Sequence, residues 1–186
     1  IAVAAVSLDL FDPILARAEL DRARALGSDP QFFNHLFGHA LWMQGQGDRA
    51  LEVLTSQPVA ERFRPYALRI IARIHLDRGD TSAAQQALDE ALKLVPDNSM
   101  VWTEIGRLRM VIANQGGAIE ALDRAVQLDP ANLRALELRG RLVRSQYGLV
   151  AALPWFERGL QINPNDIPLL EEYGATLGEA GRYRDM

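Results

Sequence analysis

Two histidines and two glycines are the first residues of this chain whose spacing could support chemistry. His35 and His39 lie four residues apart, which would place both imidazoles on one face of a helix, as in some zinc sites. The sequence shows no third ligand beside them and contains no cysteine. Gly45-Gln46-Gly47 partly matches a dinucleotide-binding fingerprint, but no strand precedes it, so we interpret it as the turn of a helical hairpin. The sequence therefore predicts neither a metal nor a cofactor.

The other polar residues do not form a catalytic arrangement either. Glu171 and Glu172 are adjacent, so they point in different directions on a helix and indicate a solvated surface. His75 stands alone in a helical segment, and we interpret it as structural. No nucleophile elbow or phosphate-binding loop occurs. The sequence predicts a protein that is not an enzyme.

Basic residues at a fixed interval give the strongest functional signal. With an interval of about 34 residues, the following positions are equivalent to one another: His39, Arg73, Arg107, Arg141 and Ala175. Arg69 lies one helical turn before the first arginine of this series, and Arg144 lies close to the last. Guanidinium groups bind carboxylates through paired hydrogen bonds, so the series predicts a site for an acidic partner segment, with Arg69 and Arg144 nearer its rim. The alternative is that these arginines are solvated on an arginine-rich surface.

Aromatic residues offer a second candidate surface in the N-terminal half. Phe32, Trp42 and Tyr66 recur at helical spacing on the same predicted face as His39. Such residues either line a groove for the apolar side chains of a partner or form contacts between neighbouring helices.

Pairs of helices, recurring at the same interval, would position these side chains. Equivalent prolines stand one interval apart, at Pro96, Pro130 and Pro164. A proline just past a helix prevents it from continuing, and this period is typical of helical repeats. Between Trp102 and Pro130, the small residues Gly106 and Ala118 would let two helices approach closely. Trp102 and Leu122 would fill the gaps between successive pairs, and we expect Trp102 to be buried.

The period divides the chain into one solenoid domain of successive repeats. We assign residues 1–30 to a degenerate or partial repeat, 31–64, 65–98, 99–132 and 133–166 to full repeats, and 167–186 to a truncated one. In the first full repeat, helix one is expected from about Gln31 to Gln44, and Gln57-Pro58 shortens helix two. Asp12-Pro13 predicts a helix start. Pro154 predicts a helix that begins no earlier than about Leu149 or bends near the proline.

With this spacing, the sequence resembles the tetratricopeptide repeat family over nearly all of residues 29–186. The resemblance implies an all-α, right-handed superhelical solenoid of antiparallel helix hairpins whose concave groove holds a peptide or partner segment. Family members are usually non-catalytic adaptors. Chaperone-binding members hold a carboxylate with a lysine and asparagine clamp. Here Thr103 and Arg107 stand at two of the clamp positions, so that function is not carried over.

Two other functions fit the same resemblance. The repeats could be a docking or regulatory array of a larger bacterial enzyme, such as a sulfotransferase. They could also be a self-associating structural module that forms a homo-oligomer. The main prediction remains a protein-interaction scaffold that binds a peptide or partner segment.

Composition narrows the class of partner. The net charge of −4 argues against nucleic acid, and the longest apolar run near the start, residues 1–6, is too short to span a membrane. Lys93 is the only lysine, a bias typical of GC-rich bacterial genomes. A cytoplasmic location is favoured over a periplasmic one. The predicted partner is a protein.

Overall fold

The computed structural model describes residues 1–181, which form α-helices joined by short turns, with no strand among them. Contacts divide the chain into two compact units. Unit 1 comprises residues 1–96 and contains α1 (Ala2–Asp9), α2 (Pro13–Ala25), α3 (Asn34–Met43), α4 (Gly47–Ser56), α5 (Arg64–Asp77) and α6 (Thr81–Leu94). Unit 2 begins at residue 97 and contains α7 (Ser99–Val111), α8 (Gln115–Leu128), α9 (Leu133–Tyr147), α10 (Leu149–Ile162) and α11 (Ile167–Glu179). Throughout residues 1–181, every helix is too short or too polar to cross a bilayer.

Consecutive helices pack as hairpins, and the first helices of neighbouring hairpins also touch. The hairpins are α1–α2, α3–α4 and α5–α6 in unit 1, and α7–α8 and α9–α10 in unit 2, where α11 packs on α10 and α9. Within unit 1, α3 contacts both α1 and α5, and within unit 2, α9 contacts both α7 and α11. The first helices of each unit therefore form a continuous layer on which side chains from different repeats can meet.

Three of the hairpins, α3–α4, α7–α8 and α9–α10, close where a glycine on the first helix faces a large side chain on the second. A Cβ atom on Gly38 would lie 2.5 Å from Leu54, and one on Gly106 would lie 2.6 Å from Leu122. A Cβ atom on Gly140 would overlap the buried ring of Phe156. The facing residue comes sixteen positions later each time. This close approach confirms the role that the spacing predicts for Gly106.

Backbone conformation repeats with the same period as the prolines. Positive φ angles between 58° and 82° occur at Phe11, Gly27, Gly45, Gly79, Ala113 and Gly181. All but Gly27 lie one or two repeat lengths apart. Phe11, Gly45, Gly79 and Ala113 follow the first helix of a pair, where the chain reverses, and Gly181 comes just after α11. Because Phe11 keeps this register, α1 occupies the place of a first helix. The exception is α9, which runs on to Tyr147 and leaves only Gly148, with φ of 91°, as the link to α10.

Capping residues follow the period as well. Side-chain oxygens of Asn98, Asn132 and Asp166 accept a hydrogen bond from the backbone N–H three residues on, at the starts of α7, α9 and α11. Asp80 and Asn114 do the same for α6 and α8. Asp12 accepts from Leu15 N at 2.9 Å, which confirms the predicted start of α2. These caps satisfy amides that would otherwise lack a partner at the helix start.

The start of α10 has weaker support. Gly148 stands where Asn114 and Asp80 carry a capping side chain one and two repeats earlier, so α10 has no side-chain cap. The helix begins at Leu149, as Pro154 predicts, but this proline is the sixth residue rather than part of the first turn. Its missing N–H leaves the carbonyl of Val150 without the usual partner, and Val150 is exposed enough for water to replace it.

In the first full repeat, the first helix begins later than expected, whereas the second helix ends at the expected position. A single 3-10 turn covers Pro30–Phe32, and α3 begins only at Asn34, because Phe33 has a non-helical φ of −140°. As predicted, α4 ends at Ser56, since Gln57 is extended before Pro58. The second helix of the next repeat, α6, is one turn longer than α4. A cavity of about 290 Å³ lies between α4, α5 and α6, where α4 lacks that turn.

Trp102 is half-buried, so the expectation of a buried side chain there is wrong. The completely buried side chains of unit 2, such as Leu122 and Phe156, are smaller than tryptophan. An indole is large enough that part of it commonly stays accessible.

Candidate partner-binding face

Five of the candidate site residues meet on one face of unit 1, formed by α3 and α5. They are His39, Trp42, Tyr66, Arg69 and Arg73, and we call this set the aromatic–arginine face. Spacings of three, four and seven residues place the members of each helix on the same side of it. All five side chains are partly exposed. The face therefore presents both rings and guanidinium groups to solvent.

Direct contacts link the five side chains into one cluster. The ring of His39 stacks on Trp42 with centroids 5.5 Å apart, and its Nδ1 lies 2.5 Å from the hydroxyl of Tyr66. Arg73 Cζ lies 4.7 Å from the centre of the Trp42 ring. Arg69 Cζ lies 4.8 Å from the centre of the Tyr66 ring. Each arginine is thus held against an aromatic ring of the same face.

This placement suits the arginines for recognising carboxylates. An aromatic ring attracts the charge of a guanidinium group, whose N–H donors lie in its plane, at the edge. Contact with a ring therefore does not occupy a carboxylate that a ligand would have to replace. Arg69 and Arg73 lie four residues apart on α5, about 6 Å along the helix axis.

Tyr66 connects the two helices of the face as a neutral phenol. Burial raises the pKa of Tyr66 to about 12, against an opposing effect of Arg69 and with a further rise from Asp9. The phenol therefore keeps its proton at neutral pH and can donate it to Nδ1 of His39.

Phe32 lies beyond this cluster and is connected to it through residues that the sequence analysis missed. The side chain of Phe32 is exposed, with Arg62 Cζ 5.5 Å from its ring centre. Arg62 also lies over Phe63, at 4.5 Å, and Phe63 stacks on His35 at 4.1 Å. His35 in turn meets Tyr66 edge-on at 5.2 Å. Arg62 and Phe63 lie in the link before α5, where no helical periodicity could single them out.

His35 is buried beneath these rings. Its side chain is almost inaccessible, and Nδ1 has no hydrogen-bond partner within residues 1–181. Burial, assisted by the charge of Arg62, lowers the pKa of His35 from 6.5 to about 4. Within that same range, no three His, Cys, Asp or Glu residues are grouped so that they could hold a metal ion.

Because His35 is neutral when folded, we expect the protein to lose stability as the pH falls from about 6.5 to about 4. In that window the unfolded chain binds a proton that the folded chain does not, which costs roughly 2 to 3 kcal/mol by the acid end. Urea unfolding at several pH values would measure this, with His35→Phe as the comparison. The phenyl ring can stack on Phe63 but cannot titrate, so the variant should lose less stability over this range. Identical pH profiles would contradict the assignment.

Trp42 also borders a cavity. Its Nε1 donates a hydrogen bond to Asp77 at 2.6 Å. A cavity of about 340 Å³ lies beside it, lined by Trp42, Gly45, Gly47, Asp48, Ile74, Asp77 and Arg78. Arg78 donates to Asp48 at 2.5 Å across this cavity wall.

The candidate arginines of unit 2 are paired with carboxylates of their own chain. Arg107 Nε donates to Glu104 at 3.0 Å, and the side chain of Glu104 is only 1% exposed. Arg141 and Arg144 lie 3.4 and 2.9 Å from oxygens of Glu172. Arg107 and Glu104 both belong to α7, whereas Arg141 and Arg144 join α9 to α11. An acidic ligand would have to displace a carboxylate already present.

Two expectations about these residues need correction. Glu172 is not a solvated surface residue, because its side chain is 21% exposed and lies between two arginines, although neighbouring Glu171 is exposed. Arg144 is more buried than Arg141, at 25% against 41% exposure, so it does not lie nearer a rim. Arg73 belongs to unit 1, whereas Arg107 and Arg141 belong to unit 2. The ladder of three arginines therefore stays a prediction.

Comparison with known proteins agrees with the helical architecture. Two family models, both described as tetratricopeptide repeat, match residues 67–108 and 113–167. A thermophilic TPR protein of Thermus thermophilus has a similar structure, with a TM-score of 0.82, 17% identity, and coverage of 95% of this chain and 96% of that one. A chain of the APC/C hetero-tetramer Cut9–Hcn1 gives a TM-score of 0.73 and 18% identity, with coverage of 97% of this chain and 36% of that one.

A third similar structure contains a bound peptide. The first TPR of Spaghetti (RPAP3), bound to the HSP90 peptide SRMEEVD, gives a TM-score of 0.55 and 18% identity over 63% of this chain and 94% of that one. At such identities the likeness shows the fold alone. No curated protein sequence matches the chain.

Proposed function

Because the chain belongs to the tetratricopeptide repeat family, whose repeats indicate a protein-interaction scaffold, we propose that its aromatic–arginine face binds an acidic segment of a partner polypeptide. The observation that supports this most is the contact chain from Arg69 through Tyr66, His39 and Trp42 to Arg73. Five partly exposed side chains are held together before any partner arrives, so little ordering entropy opposes binding.

The chemistry of the face favours an acidic segment with apolar neighbours. Arg69 offers charge-assisted hydrogen bonds, each of which can contribute roughly 1.5 to 3 kcal/mol where water is excluded. Trp42 and Tyr66 provide apolar ring surface on the same face, and such aromatic and arginine side chains are enriched among residues that dominate binding energy. The peptide SRMEEVD in the Spaghetti complex also carries carboxylates, which supports this class of ligand.

Unit 1 is a better candidate than unit 2 for this role. In unit 2 the buried carboxylates of Glu104 and Glu137 and the carboxylate of Glu172 already neutralise most of the charge of the nearby arginines. Separating such a pair leaves a buried charge without compensation, which opposes binding of a competing carboxylate. On the aromatic–arginine face, Arg69 lies over the ring of Tyr66, which a ligand need not displace.

Selection of peptides from a displayed random library on the immobilised protein tests the proposal. The selected peptides should be rich in Asp and Glu, and their affinity should fall more than tenfold for Arg69→Gln and for Trp42→Leu. Affinity should also fall with salt, because the Debye length shrinks from about 10 Å at 0.1 M to about 3 Å at 1 M.

Arg158→Gln in α10 is the matched control, since it removes the same charge from a partly exposed site outside the face. It should leave peptide affinity unchanged.

Thermal unfolding of each variant separates lost binding from lost folding, which matters for Trp42 because its side chain packs against the core of unit 1. Peptides that bind folded Arg69→Gln and Trp42→Leu as well as the unaltered protein would show that the face is not the site.

A further inference from the structure

We propose that the segment bound by the aromatic–arginine face also carries a basic side chain, which enters the cavity beside Trp42. This inference rests on the proposed function and adds a charge pattern to its ligand. The occupant is a lysine or arginine of the same partner segment whose carboxylate meets Arg69.

The cavity has the charge and shape for a cation. Its lining contains two carboxylates, Asp48 and Asp77, and one guanidinium, Arg78, which leaves one net negative charge. The hydrogen bond from Trp42 Nε1 fixes Asp77 at the cavity wall. Two glycines, Gly45 and Gly47, keep the lining free of further side chains. The indole of Trp42 forms part of the cavity wall.

The sign of the charge changes at Trp42. Arg73 lies over the indole ring, and Arg69 lies one turn further back along α5, whereas Asp77 lies one turn ahead and accepts from the indole nitrogen. A wholly acidic segment that continued past Trp42 would meet like charges at the cavity, and such pairs are unfavourable. A segment that changes from acidic to basic would find opposite charges at both ends.

Helix geometry sets the spacing of the two charges. Arg69 and Asp77 are eight residues apart on α5, which corresponds to about 12 Å along the axis. An extended peptide advances about 3.3 Å per residue, so this distance matches about four residues. The inferred ligand therefore carries an acidic and a basic residue four positions apart in an extended segment, in either chain direction.

Two capped peptides of identical composition test the spacing. The first, Ser-Glu-Leu-Pro-Leu-Arg-Ser, has its charges four positions apart, and its proline disfavours a helix. The second, Ser-Glu-Arg-Pro-Leu-Leu-Ser, has them adjacent. Calorimetric titration of the full chain should show at least tenfold tighter binding of the first peptide. Asp77→Asn keeps an acceptor for Trp42 but removes the charge, and it should abolish this preference.

Asp89→Asn on α6 is the matched control, because it neutralises an exposed carboxylate outside the cavity lining. It should preserve the tenfold preference. Equal affinity of the unaltered protein for both peptides, with both weakened by Arg69→Gln, would overturn the inference and leave the proposed function standing. Failure of the first peptide to bind at millimolar concentration would also overturn the inference, whereas the proposed function is judged separately by the library selection.

Discussion

Phe156→Ala is expected to lower the free energy of unfolding of unit 2 by roughly 3 to 5 kcal/mol. Phe156 is completely buried in α10, and with Val143, Ala152 and Leu169 it forms the core that joins α9, α10 and α11. Truncation removes the largest of these four buried side chains and leaves a void where α10 faces Gly140 of α9. Urea unfolding followed by far-UV circular dichroism measures the loss.

Ile162→Ala in the same helix is the control, because Ile162 is 45% exposed and its truncation should cost less than about 1 kcal/mol.

Gly140→Ala tests the contact between Gly140 and Phe156 directly. Alone it should destabilise by roughly 1 to 3 kcal/mol, since the new methyl group overlaps the Phe156 ring. In the Phe156→Ala background, the same change should stabilise by up to about 1 kcal/mol, because the obstacle is gone and alanine favours helix. Equal effects in both backgrounds would contradict the described packing.

Asn132→Ala should cost roughly 2 to 4 kcal/mol, more than the loss of a helix cap alone. The side chain of Asn132 is 4% exposed, and its oxygen accepts from Ala135 N at the start of α9. Its amide nitrogen donates to Ser99 Oγ at 2.6 Å and to Thr103 Oγ1 at 2.9 Å on α7. Removal therefore loses a cap worth about 1 kcal/mol and two hydrogen bonds worth about 1 kcal/mol each.

Asn98→Ala provides the matched comparison one repeat earlier. Asn98 caps α7 through Val101 N but is exposed, and its loss should cost only about 1 kcal/mol. The difference between the two variants, measured by chemical denaturation, then gives the contribution of the bonds between α7 and α9. If both variants lose the same amount, the buried bonds of Asn132 contribute nothing to stability.

Much of the fold could be predicted because it depends on a period in the sequence. The prolines at 96, 130 and 164 revealed the repeat, and the helix starts at Pro13 and Leu149 followed from local rules about proline. The capping residues Asn98, Asn132 and Asp166 carry the same period, a signal that the sequence analysis missed. Burial of Trp102 was not predictable in the same way, because accessibility depends on how neighbouring helices pack rather than on spacing.

The candidate site could be predicted only in part, because its contacts join different helices. Spacing placed Arg69 and Arg73 on one face of α5, but it could not show that their partners include Tyr66 and Trp42. Spacing likewise gave Arg107, Arg141 and Arg73 the same role, although buried Glu104 and partly buried Glu172 give the unit 2 arginines partners of their own. Arg62 lies in an irregular link, where no period exists to reveal it.

The sixteen-residue separation between Gly38 and Leu54, Gly106 and Leu122, and Gly140 and Phe156 has a kinetic consequence. Closing so short a loop costs little entropy, and contacts between residues close in sequence are typical of rapid folding, on the microsecond to millisecond scale. Each hairpin can therefore form as soon as its second helix leaves the ribosome, and the next hairpin then adds to a surface that already exists. Synthesis from the N-terminus would thus complete α3 and α5, and with them the aromatic–arginine face, before unit 2 has been translated.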